Sequence, residues 1–366
     1  MHTPGQGGER RVVFAVAHAQ KLRGLLPRDA VLRGNTCIGV RDGAVALARR
    51  QGPRPSWHGL DFQRGLRQAW SIGLMGMRLS MIDLHCHILP GLDDGAADLA
   101  VSLEMARALV ADGVSVVACT PHILPGLYHN CGPVIRDATA KLQQALDDQG
   151  VPLTLVTGAD NHVVPDFVAG LRSGHLLSLR DTRYVLVEPP HHVAPVRLDD
   201  LFFEVLGAGF VPILTHPERL SWIEADYARI VRLGAAGVWM QITAGSLAGN
   251  FGRRAQYWAQ RMLEEGAVHI LATDAHDAER RPPNLSEGWD LAAKRIGTDA
   301  AQHLVLTRPM AILNNDAPAS LALPEPDVVS SGVAYEHVAS RAKRGGASAV
   351  GLLRGVSDRL RRLVER

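Results

Sequence analysis

Six short segments hold the side chains that could do chemistry. They are His85-Cys86-His87, Thr120-Pro121-His122, Asp160 in TGADNH, Glu188 closing YVLVE, His216 in THPERL, and Asp274-Ala275-His276. Imidazoles mixed with carboxylates suit Mn²⁺, Fe²⁺ or Zn²⁺ better than Ca²⁺. The set exceeds what one ion needs. Two or three ions a few Å apart are therefore expected, with Glu188 suited to bridge a pair. His85 and His87 lie two apart in an extended run, so they face one side and can grip one ion. Arg219 follows His216 by three residues, and Arg280 and Arg281 follow His276. A guanidinium fork beside divalent ions matches phosphate geometry, which makes Arg219 or the 280–281 pair a candidate for holding a phosphate. His216 or a water linked to an Asp is a candidate proton donor. A lone His after a strand is usually a satisfied structural residue; six such segments in one register are harder to explain that way.

The register comes from the elements. From Met81 onward, short apolar runs alternate with periodic stretches. The runs cover 81–85, 114–120, 153–158, 184–188, 211–216, 238–243 and 269–274, and the stretches 98–112, 132–149, 164–174, 199–208, 226–234, 252–265 and 286–297. ALVADGV and EVLGAGFV each put a glycine where a helix should end. Seven strands alternating with seven helices predict a parallel α/β fold. An open sheet and a closed barrel share that pattern. Six of the seven runs deliver an acid or imidazole at or just past the C-terminal end. In a barrel those ends share one face, which favours the barrel.

Composition narrows the field. Residues 1–80 hold 13 Lys and Arg against 4 Asp and Glu, residues 81–317 hold 18 against 28, and residues 318–366 hold 8 against 5. An acidic, His-rich middle is thus flanked by basic ends. Nucleic-acid binders concentrate positive charge on the working domain, so no nucleic-acid partner is expected. No apolar run is long enough to span a bilayer and no signal peptide is seen. Four cysteines in 366 residues make no disulfide framework, and a cytoplasmic, reducing setting follows. Residues 1–80 read as a basic extension without regular structure, or as residues upstream of a start at Met77 or Met81. Residues 318–366 read as a low-complexity tail ending in a basic amphipathic stretch. CGPVIR (131–136) falls one residue short of a cysteine-phosphatase loop, and no phosphate-binding glycine motif follows a strand. His129, His162, His175 and the His191-His192 pair read as surface residues. The loops GLYHNCGP and PPHHVAPVR are short, which predicts an open face.

Together MIDLHCHILPGLDDG, TPH, TGAD, LVEPP, LTHPER and ATDAHDAERRPP resemble the polymerase-and-histidinol-phosphatase superfamily. Within it they are most similar to the bacterial manganese-dependent protein-tyrosine phosphatases of capsule and exopolysaccharide operons. The resemblance covers about 81–315. It implies a distorted seven-stranded (β/α) TIM-like barrel and a centre of two or three Mn²⁺. It implies ligands at His85, His87, Asp94, His122, Asp160, Glu188, His216, Asp274 and His276, with phosphate held by Arg219 and by Arg281 or Arg280. Asp94, in the DDG turn, enters only through the resemblance. The family's third-strand ligand is usually Glu; here it is Asp160, one methylene shorter. The implied substrate is phosphotyrosine on a protein, namely the tyrosine-rich tail of a membrane tyrosine autokinase of polysaccharide export. Two other functions share the residues: a small-molecule phosphatase such as one acting on histidinol phosphate, and a metal-binding scaffold without catalysis.

Overall fold

A computed structural model of the chain describes residues 80–321 and residue 324, together with two short strands near the N-terminus. Those strands, β1 (Cys37–Arg41) and β2 (Ala44–Ala48), pair antiparallel within their own unit. They were not anticipated in a stretch read as irregular. The remainder of the basic extension and nearly all of the C-terminal tail, including its amphipathic stretch, lie outside the described residues.

The main unit is built on seven parallel runs. They begin with β3 (Met81–Cys86) and β4 (Val114–Cys119), the latter resumed as β5 (His122–Ile123). Next come β6 (Thr154–Thr157), resumed as β7 (Asp160–His162), and β8 (Tyr184–Glu188). The last three are β9 (Val211–Thr215), β10 (Trp239–Thr243) and β11 (Ile270–Ala272). β3, β8, β9 and β10 are buried at every position, as expected where both faces of a parallel sheet are covered.

β3, β4 and β6 form one sheet, and β5, β7, β8, β9, β10 and β11 a second. The two are halves of one ring. The second and third runs cross from the first sheet to the other, breaking at Thr120-Pro121 and Gly158-Ala159, where Pro121 has no N–H to give a ladder. The seventh run returns to the first through a parallel bridge, Cys86 to Ala275. Backbone bonds His87 N to Ala275 O (2.9 Å) and Asp274 N to His85 O (2.8 Å) flank that bridge. The result is a distorted (β/α) barrel whose ladder is interrupted at these junctions.

Helices follow the strands. They are α1 (Leu99–Asp112), α2 (Gly132–Asp148), α3 (Phe167–Ser173), α4 (Leu198–Gly207) and α5 (Ile223–Ala235). Then come α6 (Ala244–Ala248), α7 (Gly252–Glu264), α8 (Leu285–Ile296), α9 (Thr298–Gln302) and α10 (Arg308–Leu313). α1 shows how its ends are set. The Asp98 carboxylate accepts the Val101 N–H, and Gly113 at φ 95° closes the other end with bonds to Leu109 O and Val110 O.

Two apolar clusters hold the unit. The larger lies between strands and helices. The smaller joins Ile82, Leu84, Val116, Ala118, Leu186, Ile213, Trp239 and Ile270, with Ile312 and Leu313 of α10 against them. Strict alternation would send Leu84 and His85 to opposite sides. The pairing of β3 with β4 shifts register between Asp83 and Cys86. Leu84 packs in the small cluster, and Cys86 and Ile88 in the large one. A bulge of this kind re-aims the side chains that follow it, and here those are His85 and His87.

Candidate metal centre

Strand ends and the turns just beyond them gather the donors. His85 Nε2 and His87 Nε2 lie 3.1 Å apart. His85 Nδ1 meets Gln241 Oε1 at 2.9 Å, and His87 Nδ1 meets Asp93 Oδ2 at 2.7 Å. Those acceptors keep the hydrogens on Nδ1. Each neutral ring then turns its Nε2 lone pair to the other, so a proton or a metal cation must lie between them.

Further pairings tie the neighbours in. Asp160 Oδ2 is 3.6 Å from His85 Nε2 and 3.4 Å from His122 Nδ1. Asp94 Oδ1 is 3.5 Å from both His122 Nε2 and His276 Nε2. Glu188 Oε2 is 3.2 Å from His122 Nδ1 and in closer contact with His162 Nε2, while Oε1 is 3.2 Å from His191 Nε2 and 3.5 Å from His216 Nε2. Asp274 Oδ1 lies 3.4 Å from His85 Nε2 and 3.3 Å from His87 Nε2.

Four overlapping groups result: His87, Asp94, His122 and His276; His85, His87 and Asp160; His122, His162 and Glu188; and Glu188, His191 and His216. His87, His122 and Glu188 each belong to two of them. Buried polar atoms without a hydrogen-bond partner collect here as well: His122 Nδ1, both Asp160 oxygens, Glu188 Oε2, His216 Nδ1 and His276 Nε2. Such atoms cost ~1–3 kcal/mol each when left unsatisfied, and cations satisfy them. The donor set fits a multinuclear divalent centre.

Charge tells the same story. Burial works against a charged His122, yet Asp160 and Glu188 push its pKa up to about 12. Burial likewise opposes charge on His87, but Asp93 raises it to about 9. Burial raises Glu188, and the His122 and His162 imidazoles beside it hold it well below the ordinary carboxylate range. His216 runs the other way: burial, reinforced by Arg219, keeps its ring neutral. The cluster demands positive charge, and in the protein alone protons on imidazoles supply it.

Two left-handed residues shape the rim, His216 at φ 34° and Asp274 at φ 52°. Non-glycine residues hold such angles only where the surroundings dictate them. Behind His216, the turn Pro217–Arg219 is fixed by buried Glu218, which accepts from Thr243 N (2.9 Å) and Ser246 Oγ (2.8 Å). Arg219 Nη1 therefore contacts Asp274 Oδ2, where Arg281 Nη2 also arrives at 2.6 Å. The Phe251 ring lies 4.3 Å from the Arg219 Cζ and 5.7 Å from that of Arg281.

Residues 81–314 match the family described as capsular polysaccharide synthesis, CpsB/CapC. The chain belongs to this family. It is 36% identical over 219 residues to the tyrosine-protein phosphatase YwqE of Bacillus subtilis, spanning 60% of this chain and 86% of that one. It is 27% identical over 242 residues to the tyrosine-protein phosphatase CpsB of Streptococcus pneumoniae, spanning 64% of this chain and 98% of the relative. The fold superposes with a TM-score of 0.64 and 34% identity on a chain from the crystal structures of those two proteins, described as unique metal-dependent tyrosine phosphatases. That match covers 68% of this chain and 99% of the other.

In this CpsB/CapC chain, eight of the nine residues expected as ligands enter the four groups, and Asp274 lies against His85 and His87 at their edge. Of Arg281 and its alternative Arg280, it is Arg281 that reaches the cluster. Asp277 Oδ1 accepts the N–H groups of Glu279, Arg280 and Arg281, winding a tight turn that brings only the Arg281 guanidinium to Asp274; Arg280 is exposed. The surface reading of His162 and His191 is corrected too, since Glu188 draws both to the cluster. His129, His175 and His192 are exposed as expected. Asp93 and Gln241 were missed. Asp93 was legible as the first Asp of DDG. Gln241 sits on the one run that delivers no acid or imidazole, and an amide on a buried strand was its only signal.

Proposed function

We propose that this chain is a metal-dependent phosphatase that hydrolyses phosphotyrosine in a protein substrate. One observation carries the reading: overlapping donor groups with unsatisfied buried atoms lie beside two guanidinia that converge on one carboxylate. His85, His87, Asp94, His122, Asp160, Glu188, His216, Asp274 and His276 hold two or three ions, with His162 and His191 as further donors around Glu188. Bound divalent ions acidify water and neutralise phosphate oxygens. Mn²⁺ is our choice for the mixed imidazole and carboxylate set, ahead of Fe²⁺ and Zn²⁺.

The protein's own part is orientation. Gln241 and Asp93 fix the imidazole tautomers of His85 and His87. Arg219 and Arg281 offer forked donors to the equatorial phosphate oxygens, where charge develops. A phenol leaving group, with pKa ~10, needs less proton assistance than an alkyl alcohol. The names of the relatives support phosphotyrosine as substrate, and the family's link to capsular polysaccharide supports a tyrosine autokinase of polysaccharide export as partner. Among the described residues no helix is long and apolar enough to cross a membrane. We place the reaction in the cytoplasm, where ATP-dependent kinases act, and assign it to residues 81–317.

The test is phosphate release from a phosphotyrosine peptide with and without Mn²⁺, beside a phosphoserine peptide and histidinol phosphate. Mn²⁺-dependent release from phosphotyrosine alone is expected. Preference for histidinol phosphate would move the function to small metabolites. Metal binding without any release would make the chain a scaffold.

A further inference from the structure

Arg219 faces two ways. Besides meeting Asp274 at the centre, it lines a separate cavity of about 220 Å³ with His191, Phe251, Arg254 and Ala255. His191 also belongs to both, with Nε2 at 3.2 Å from Glu188 Oε1. The cavity therefore begins where the donor cluster ends. Pockets that enclose a whole small ligand run to about 300–1,000 Å³; this one has room for a single side chain.

Arg254 gives the cavity its chemistry. Nη1 and Nη2 donate to Leu220 O at 3.0 and 2.8 Å, which holds the guanidinium in place. A carbonyl does not neutralise a cation, and among the described residues no carboxylate pairs with Arg254. The wall thus carries a fixed, uncompensated positive charge beside the Phe251 ring.

We propose that this cavity is a subsite for an acidic side chain adjacent to the phosphotyrosine of the substrate. Arg254 pairs with its carboxylate, and Phe251 receives its methylenes. This rests on the phosphotyrosine reading above. The occupant is tethered to the phosphorylated residue, so phosphate at the centre brings it to the cavity. Because Arg254 is exposed, the pairing is screened and its effect is modest, about two- to fivefold.

The experiment uses the full chain loaded with Mn²⁺ and phosphotyrosine peptides that differ only in Glu against Gln beside the phosphotyrosine, on each side in turn. On one side, kcat/KM for the Glu peptide should exceed that for the Gln peptide by about two- to fivefold, mainly through KM, and the ratio should shrink as salt rises. Arg254→Gln keeps a donor for the Leu220 carbonyl but removes the charge, and should bring the ratio close to one; Arg254→Lys should keep part of it. Equal rates for both peptides in the unaltered chain would overturn the subsite, as would a ratio that survives Arg254→Gln. If that variant does not fold, the salt series on the unaltered chain decides, and a salt-independent ratio overturns the proposal. Hydrolysis of neither peptide would overturn the phosphotyrosine reading and the subsite with it; failure of the subsite alone leaves both peptides hydrolysed at one rate.

Discussion

His85 and His87 present Nε2 atoms to each other at 3.1 Å because Gln241 and Asp93 already occupy their Nδ1 positions. Gln241→Leu removes the acceptor that fixes the His85 tautomer. It should weaken metal binding by about 10- to 100-fold, read by calorimetric titration with Mn²⁺, while circular dichroism stays unchanged. Unchanged affinity would mean that packing alone orients the ring. His162→Ala strips a partner from Glu188 and should cut phosphatase activity by roughly tenfold or more; His129→Ala, at an exposed position, should leave it within about twofold. Equal effects would contradict the separation of the two. At this scale most of the site was legible, because a donor at a strand end is visible in one dimension. His162 was not. It lies two residues past Asp160, and only the start of a new strand at Asp160 turns it towards Glu188.

The elements position these residues through irregularities more than through regular ladders. The bulge in β3 re-aims His85 and His87, and the breaks before β5 and β7 place His122 and Asp160 opposite each other in register. The DDG turn packs against the same strand end. A Cβ on Gly95 would sit 2.1 Å from His87 O and 2.5 Å from His87 Cβ. Gly95→Ala should therefore push the turn away and take Asp93 and Asp94 with it. The expected loss is about 1–3 kcal/mol of stability in urea denaturation, with a fall in activity larger than the loss of folded protein explains. Neutral behaviour would show that the turn is loosely held. Helix limits were close to those read from periodicity: 98–112 was expected and Leu99–Asp112 found. The strand breaks escaped, since TP and TG look like ordinary strand ends until the next strand pairs beyond them. α10 escaped because its residues close the barrel interior from outside the strand–helix alternation.

At the scale of the whole molecule, the acidic barrel and its basic flanks are separate matters. The family match spans 81–314, and the donors, the two arginines and both apolar clusters fall within residues 81–321. A chain of residues 81–321 should keep the melting temperature and the turnover of a short phosphotyrosine peptide to within about twofold. A collapse of either would give the flanks a structural role. The barrel was legible from strand–helix alternation and from the shared placement of donors; β1 and β2 were not, because ten residues with weak alternation inside an Arg-rich stretch carry little pattern. The central claim is that the gathered donors form a catalytic metal centre. Its most direct test is to strip the purified chain of metal, add Mn²⁺ in steps, and follow bound metal and phosphotyrosine hydrolysis together. The account predicts no hydrolysis in the stripped chain and activity that rises as the second and third ions bind. Full activity in the stripped chain, or none at saturation, would contradict it.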